Sequence, residues 1–292
     1  MRKIITICTL FALAGMALFT ACQQSNANTA LKKPISRNYV ALLDLSDRLL
    51  YPGQSSKDIQ ALELLFGRFE RDVRRNLVIK SRDKFRVRII PQKGSKLPAE
   101  QWENTLCLDM SVLDAGAKAR ALNTFKGQLH EHLQQLYAAA NQGGRSADYF
   151  GVDIWKYFND QVTTDILPGY DNTMLVLTDG YFDFENEAHT MRKKNRFTST
   201  RFLSALGSAD WEQKAKNDDL GLLPVEVPSN ANWLVCGLRA KNDDLLQNKK
   251  LHFFWDKWLR ESGARSIAIV LDASAAKIKE QLGQATHTDQ FN

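Results

Sequence analysis

Hydrophobic positions along this chain follow two different spacings. Residues 39–43 (YVALL) and 173–178 (TMLVLT) are short, nearly unbroken apolar runs. Runs that short predict strands buried on both faces, as in the middle of a parallel sheet. Between them, Ile59, Leu62, Phe66, Phe69, Val73 and Leu77 recur every three or four residues. That period predicts a helix lying on the sheet, with its start marked by Ser55 and Asp58. Residues 85–90 (FRVRII) alternate apolar and basic side chains, as in a strand with one wetter face, and Pro91 ends the run. Residues 105–112 predict a further strand. Asp114 can cap a long helix whose stripe is Ala121, Phe125, Leu129, Leu133, Leu136 and Ala140, stopped by Gly143 and Gly144. A short helix over 151–158, a strand over 232–238, a helix around Leu251, Phe254, Trp255, Trp258 and Leu259 closed by Gly263, and a last strand over 266–271 complete the pattern. This alternation predicts an α/β fold: a doubly wound, mostly parallel, Rossmann-like sheet with helices on both faces and right-handed crossovers.

The two ends depart from this pattern. Met1, Arg2 and Lys3 precede an apolar stretch over 4–20 that ends in small residues, the layout of a secretory signal rather than a spanning helix. The junction at 18–22 (LFTAC) resembles a bacterial lipobox, with Phe19 where Leu is usual, and implies that Cys22 is acylated and becomes the mature amino terminus. Each buried acyl methylene contributes ~0.8 kcal/mol to anchoring, so three chains would make release negligible. Residues 23–37 read as a flexible tether, its polar stretch over 23–33 averaging roughly 20 Å end to end. Gln23 after the acylated cysteine favours the outer over the inner membrane, which places the expected protein in a bacterial envelope, lipid-anchored and facing the periplasm. The remaining organisation is one domain over 38–273, with an insertion at 181–230, and a tail over 274–292 that is frayed from Ala285 onward.

Composition narrows the function classes. The formal net charge is +6, of which Arg2 and Lys3 belong to the signal, so the mature excess is only +4 and no nucleic-acid binding is expected. Cys8 leaves with the signal, Cys107 and Cys236 remain in an oxidising setting, and neither has the paired spacing of a zinc site. Cys236 lies in an apolar run and reads as a small core residue, while a disulfide between the two is left open. His130 and His132 are two apart on a helix and so do not share a face as metal ligands.

The candidate chemistry lies where strands end. In an open α/β sheet, sites form in the crevice outside the carboxyl ends of the strands, which brings together Asp44 and Ser46 after the first strand and Asp179 after the strand over 173–178. These residues resemble those of the von Willebrand factor type A domain, whose metal-ion-dependent adhesion site begins with Asp-x-Ser-x-Ser and later adds a Thr and an Asp. Here the first segment is Asp44-Leu45-Ser46-Asp47-Arg48, and Thr178-Asp179-Gly180 matches the last element. The resemblance covers roughly 38–272. It implies that Asp44, Ser46 and Asp179 hold a divalent cation, Mg²⁺ or alternatively Mn²⁺ or Ca²⁺, through oxygen ligands and leave a place for a partner's carboxylate.

Two departures bear on that site. Arg48 occupies the place of the second serine, and Val152 in Gly151-Val152-Asp153-Ile154 replaces the family's Thr, with Ser146, Asp153 and Asp47 as possible substitute ligands. Two carboxylates ~4 Å apart repel by about 1 to 4 kcal/mol at dielectrics of 80 to 20. Either a cation compensates, or the Arg48 guanidinium reaches back to Asp44 or Asp179 and replaces the metal. The insertion carries the basic run over 192–196 beside Phe197 and Phe202, read either as a solvated charged loop with a short helix or as a surface that selects the partner.

The expected function is a membrane-anchored, non-enzymatic binding or scaffold lipoprotein that recognises a protein or another envelope component at the carboxyl edge of its sheet. The alternative is an exported metal-dependent hydrolase or phosphatase using Asp44 or a metal-bound water. That alternative lacks a Gly-rich phosphate loop, a Gly-x-Ser-x-Gly elbow, and a histidine near Asp44 or Asp179 in sequence.

Overall fold

The computed structural model describes residues 35–182, 191–241, 246–271 and 274–284. The expected signal, the lipobox at Cys22, most of the tether and the tail from Ala285 lie outside the described residues. No described helix is long and apolar enough to cross a membrane.

The first strand, β1 (Ser36–Leu43), is the apolar run predicted, and every residue from Asn38 to Leu43 is buried. It pairs in parallel on one side with β2 (Lys84–Ile89) and on the other with β4 (Tyr170–Leu177). β3 (Cys107–Asp109) closes one edge antiparallel to β2, while β8 (Ala231–Cys236) and β9 (Ser266–Val270) extend the other edge in parallel. The six-stranded order is β3-β2-β1-β4-β8-β9, a mixed α/β architecture with a mostly parallel sheet.

Side chains alternate across β1, and each face has its own core. Tyr39, Ala41 and Leu43 face helices α1 (Gln54–Arg75), α3 (Ala115–Ala140) and α8 (Ala275–Gln284). Val40 and Leu42 face α4 (Ile154–Asp160), α5 (Val162–Asp165), α6 (Trp211–Asn217) and α7 (Gln247–Glu261). A further short helix, α2 (Ala99–Thr105), has no buried residue. The second face is aromatic: Phe158 stacks on Trp233 at 5.2 Å, and Phe182 meets Trp255 and Trp258 edge-on at 5.0 and 4.9 Å.

Element ends show where local chemistry overrides period. Helix α1 buries Ile59, Leu62, Phe66, Phe69 and Val73, but it stops at Arg75; Leu77, at φ +61°, is exposed rather than on the buried stripe. Its start is Gly53 at φ +73°, and Asp58, expected as a start signal, is fully buried inside the helix. Asp114 caps α3 as its sequence predicts, accepting a hydrogen bond from the Ala117 amide at 2.8 Å. The predicted strand over 105–112 shrinks to three residues because α2 runs through Thr105 and turns follow Asp109.

The described part of the insertion, from Met191 on, forms structure of its own. β5 (Arg192–Lys193), β6 (Arg196–Phe197) and β7 (Gly221–Leu222) make a three-stranded sheet. Phe202, Leu203, Leu206, Trp211, Ala215 and Leu222 bury their side chains in the second core. Arg196 is held by Asp219 and Glu261, and the indoles of Trp155 and Trp258 both donate to the Leu223 carbonyl, at 2.8 and 3.0 Å. The described part of the insertion, 191–230, therefore packs on the second core through its apolar side chains, while Arg192 and Lys193 of the basic run stay exposed. Cys107 is exposed and Cys236 buried, and both are free thiols; burial pushes the Cys236 thiol well above its usual range.

Candidate functional site

The register of β1 against β4 pairs Leu43 with Leu177, so the residues that follow each strand leave the sheet side by side. Asp44 and Thr178 are consequently neighbours: the Thr178 hydroxyl donates to Asp44 Oδ2 at 2.7 Å, and the Ser46 amide donates to Asp44 Oδ1 at 3.0 Å. Asp44, Ser46, Thr178 and Asp179 are all at most 5 % exposed, which sets this rim apart from an ordinary solvated loop. The loop after β8 joins them, because the Arg239 amide donates to the Asp179 carbonyl at 3.0 Å and the Lys241 amide to the Tyr181 hydroxyl at 3.1 Å. Together the three loops and residues 146–151 enclose a cleft of about 190 Å³ lined by Ser46, Asp47, Ser146, Asp179, Tyr181 and Lys241 together with Tyr149, Phe150 and Gly151.

Lys241 is the residue that sequence reasoning missed. Its ammonium lies 2.8 Å from Asp47 Oδ1, 3.4 Å from Asp179 Oδ2 and 5.0 Å from the centre of the Tyr181 ring. No motif marks it: it follows a strand by five residues in a polar stretch, and only the parallel pairing of β4 with β8 would have brought it to this rim. Ser146 also arrives here, its hydroxyl donating to Asp47 Oδ2.

Arg48 takes a different place from the one expected. Its guanidinium is buried and makes a bidentate pair with Asp58, 2.6 Å to Oδ2 and 3.1 Å to Oδ1, while its contact with Asp44 is to the backbone carbonyl at 3.1 Å. The fork of an arginine matches both oxygens of one carboxylate, and Asp58 presents them one helical turn into α1. Gln54 and Tyr137 donate to the same carboxylate, at 2.9 and 3.0 Å, so it is fully satisfied. Asp153 also serves another purpose: it caps α4, accepting from the Lys156 amide at 2.9 Å, and it does not line the cleft.

Electrostatics single out Asp179. Burial, and then the nearby Asp44 carboxylate, raise its carboxyl to about 7 against the opposing pull of Lys241, Arg48 and the Tyr181 amide. Oδ1 accepts from that amide at 3.2 Å, but Oδ2 is buried and accepts no hydrogen bond. Asp47 behaves oppositely: burial raises it, yet the hydrogen bonds from Lys241 and Ser146 outweigh burial and hold it below the usual carboxylate range. Burial lowers Lys241, but Asp179 and Asp47 more than reverse this and keep it charged.

These contacts test whether a divalent ion suits the site. Both Asp44 oxygens already accept hydrogen bonds, the Lys241 ammonium sits between Asp47 and Asp179, and the position of the family's second serine is an arginine committed to Asp58. Among the described residues, no group of three or more His, Cys, Asp or Glu side chains is placed to hold an ion. The residues present do not fit a divalent cation with Lys241 in place.

No protein-family model matches the chain, and the search of curated proteins returns no match. Among solved structures, two crystal structures of the pilus adhesin SpaC from Lactobacillus rhamnosus GG are similar, both at 12 % sequence identity. One gives a TM-score of 0.42 over 87 % of this chain, and the other, in an open conformation, 0.38 over 86 %. The chain spans 31 % and 30 % of those two SpaC chains. A likeness at that level carries no functional argument.

Proposed function

We propose that this chain is a non-enzymatic binding module of the von Willebrand factor A type, with a doubly wound sheet, tethered to the envelope through Cys22, that recognises a protein or envelope partner in the cleft at the carboxyl edge of its sheet. The observation that carries this reading is the cleft itself. Three strand-end loops build it, and it exposes charged, hydroxyl and aromatic groups together, the mixture that gives a recognition site its orientation and specificity. Partner binding needs no ion here, since Lys241 supplies the positive charge between the carboxylates.

A photoreactive residue at Tyr149 in the full-length, membrane-anchored chain tests this. A discrete adduct that Ser146→Trp, which fills the cleft, suppresses, and that a charge reversal at distant Lys84 leaves intact, is the expected result. Adducts indifferent to Ser146→Trp would place recognition elsewhere.

A second reading has one observation in its favour. A buried carboxyl raised to about 7 in a cleft suits a proton donor, so Asp179 could serve an exported hydrolase. No histidine lines the cleft among the described residues. Turnover of p-nitrophenyl phosphate that Asp179→Asn abolishes would establish that reading over the first.

A further inference from the structure

Resting on the binding reading above, we propose that the cleft takes a cationic side chain, a lysine or arginine presented by a partner protein, and that Lys241 is an internal competitor which the partner's cation displaces.

Charge bookkeeping at the rim points this way. Among the described residues, the cation that meets the cleft carboxylates Asp47 and Asp179 directly is Lys241, because Arg48 pairs with Asp58 and Arg239 turns onto the Tyr51 ring at 4.6 Å. The cleft is therefore short of positive charge when its carboxylates are ionised, and an incoming carboxylate would meet repulsion. One carboxylate oxygen adds a directional cue: Asp179 lines the cleft at 2 % exposed, and its buried Oδ2 accepts no hydrogen bond, its ion pair with the Lys241 ammonium spanning 3.4 Å. An ammonium or guanidinium donor reaching that oxygen gains a charge-assisted bond that the free protein lacks.

The remaining walls suit such a group. Tyr149, Phe150 and Tyr181 line the cleft, and the Tyr181 ring already carries Lys241 at cation–π distance. The space of about 190 Å³, the volume of about six liquid waters, accommodates one long side chain. The consequence is an inversion of sign: where a metal ion in such a site would recruit a partner's acid, a lysine in it leaves the carboxylates to recruit a base.

Saturation-transfer difference NMR on the full chain in detergent, with N-acetyl-lysine methylamide and N-acetyl-arginine methylamide as probes, tests the proposal. Both should bind saturably. The Nε-acetylated lysine probe and the glutamate analogue should not bind, with or without Mg²⁺. Asp179→Asn should weaken the lysine probe about tenfold, the loss of one charge-assisted bond. Lys241→Met should tighten it, a gain that misfolding cannot mimic.

Equal binding of the acetylated and free lysine probes, binding of the glutamate analogue, or weakening by Lys241→Met would each overturn the assignment. If the lysine probe fails while the Tyr149 adduct persists and remains sensitive to Ser146→Trp, the cationic ligand is wrong and the binding reading stands. Loss of the adduct removes both.

Discussion

Asp179 sits where a carboxylate is costly, buried beside the Asp44 carboxylate, with Tyr51, Tyr181, Arg48, Asp47 and Lys241 as its other charged or titratable neighbours. Its folded carboxyl is raised to about 7 from the ordinary carboxylate range, so the folded state binds a proton that the unfolded chain has released. That contribution is fully present below about pH 4 and is lost as pH rises through about 7. Melting temperature measured from pH 4 to 8 should therefore fall more steeply in the wild type than in Asp179→Asn; parallel curves would show that the carboxyl is not raised. Arg48 presents the opposite situation, a buried cation with its partner in place. Arg48→Met leaves Asp58 buried without its counterion and should cost about 3–5 kcal/mol in denaturant unfolding, with the double change Arg48→Met, Asp58→Leu recovering part of it. The placement of Asp44, Ser46 and Asp179 just beyond strand ends was legible from the sequence because each follows a short apolar run bounded by polar residues. Lys241 and Asp58 were not, since the role of each depends on a partner far away or one turn down a helix, and periodicity records neither.

At the level of elements, the cleft depends on how tightly the chain turns at the ends of β4 and β8. Gly180 and Gly237 both sit at φ +97°, a region that disfavours any side chain. At Gly237 the strain is compounded: a Cβ would stand 3.0 Å from the Thr178 carbonyl and 3.3 Å from Arg48 Nη2, both part of the framework behind the site. Gly237→Ala should therefore cost about 1–2 kcal/mol from the backbone alone and also displace Thr178 from Asp44, so that stability and lysine-probe binding fall together. Stability loss with unchanged binding would mean that the turn does not position the rim. The helices and parallel strands were legible as elements because their apolar periods are clean, but the insertion was not. Its strands are two residues long and its core contribution comes from scattered aromatics, leaving neither period to read while the basic run over 192–196 dominates the composition.

For the molecule as a whole, the decisive contrast is between a fold held partly by an ion and one that carries its own cation. A ligand that binds only the native state stabilises it by RT ln(1 + [L]/Kd), about 2.7 kcal/mol at a hundred times Kd. A domain of this size shifts in melting temperature by roughly 2–4 °C per kcal/mol, so Mg²⁺ at a hundred times its Kd would raise the transition by several degrees. With Lys241 bridging Asp47 and Asp179, an ion must first expel an ammonium held by two carboxylates, one at 2.8 Å, and it gains no ligand from Arg48. The wild-type chain should melt at the same temperature in Mg²⁺, Mn²⁺ or chelator. Lys241→Ala removes the competitor and leaves Asp44, Asp47 and Asp179 facing one another, so this variant should melt lower and should regain stability as divalent ions are added. A wild type stabilised by Mg²⁺ as much as the variant would show that the lysine does not occupy the ion's position, and the charge assignment of the whole rim would have to be redrawn.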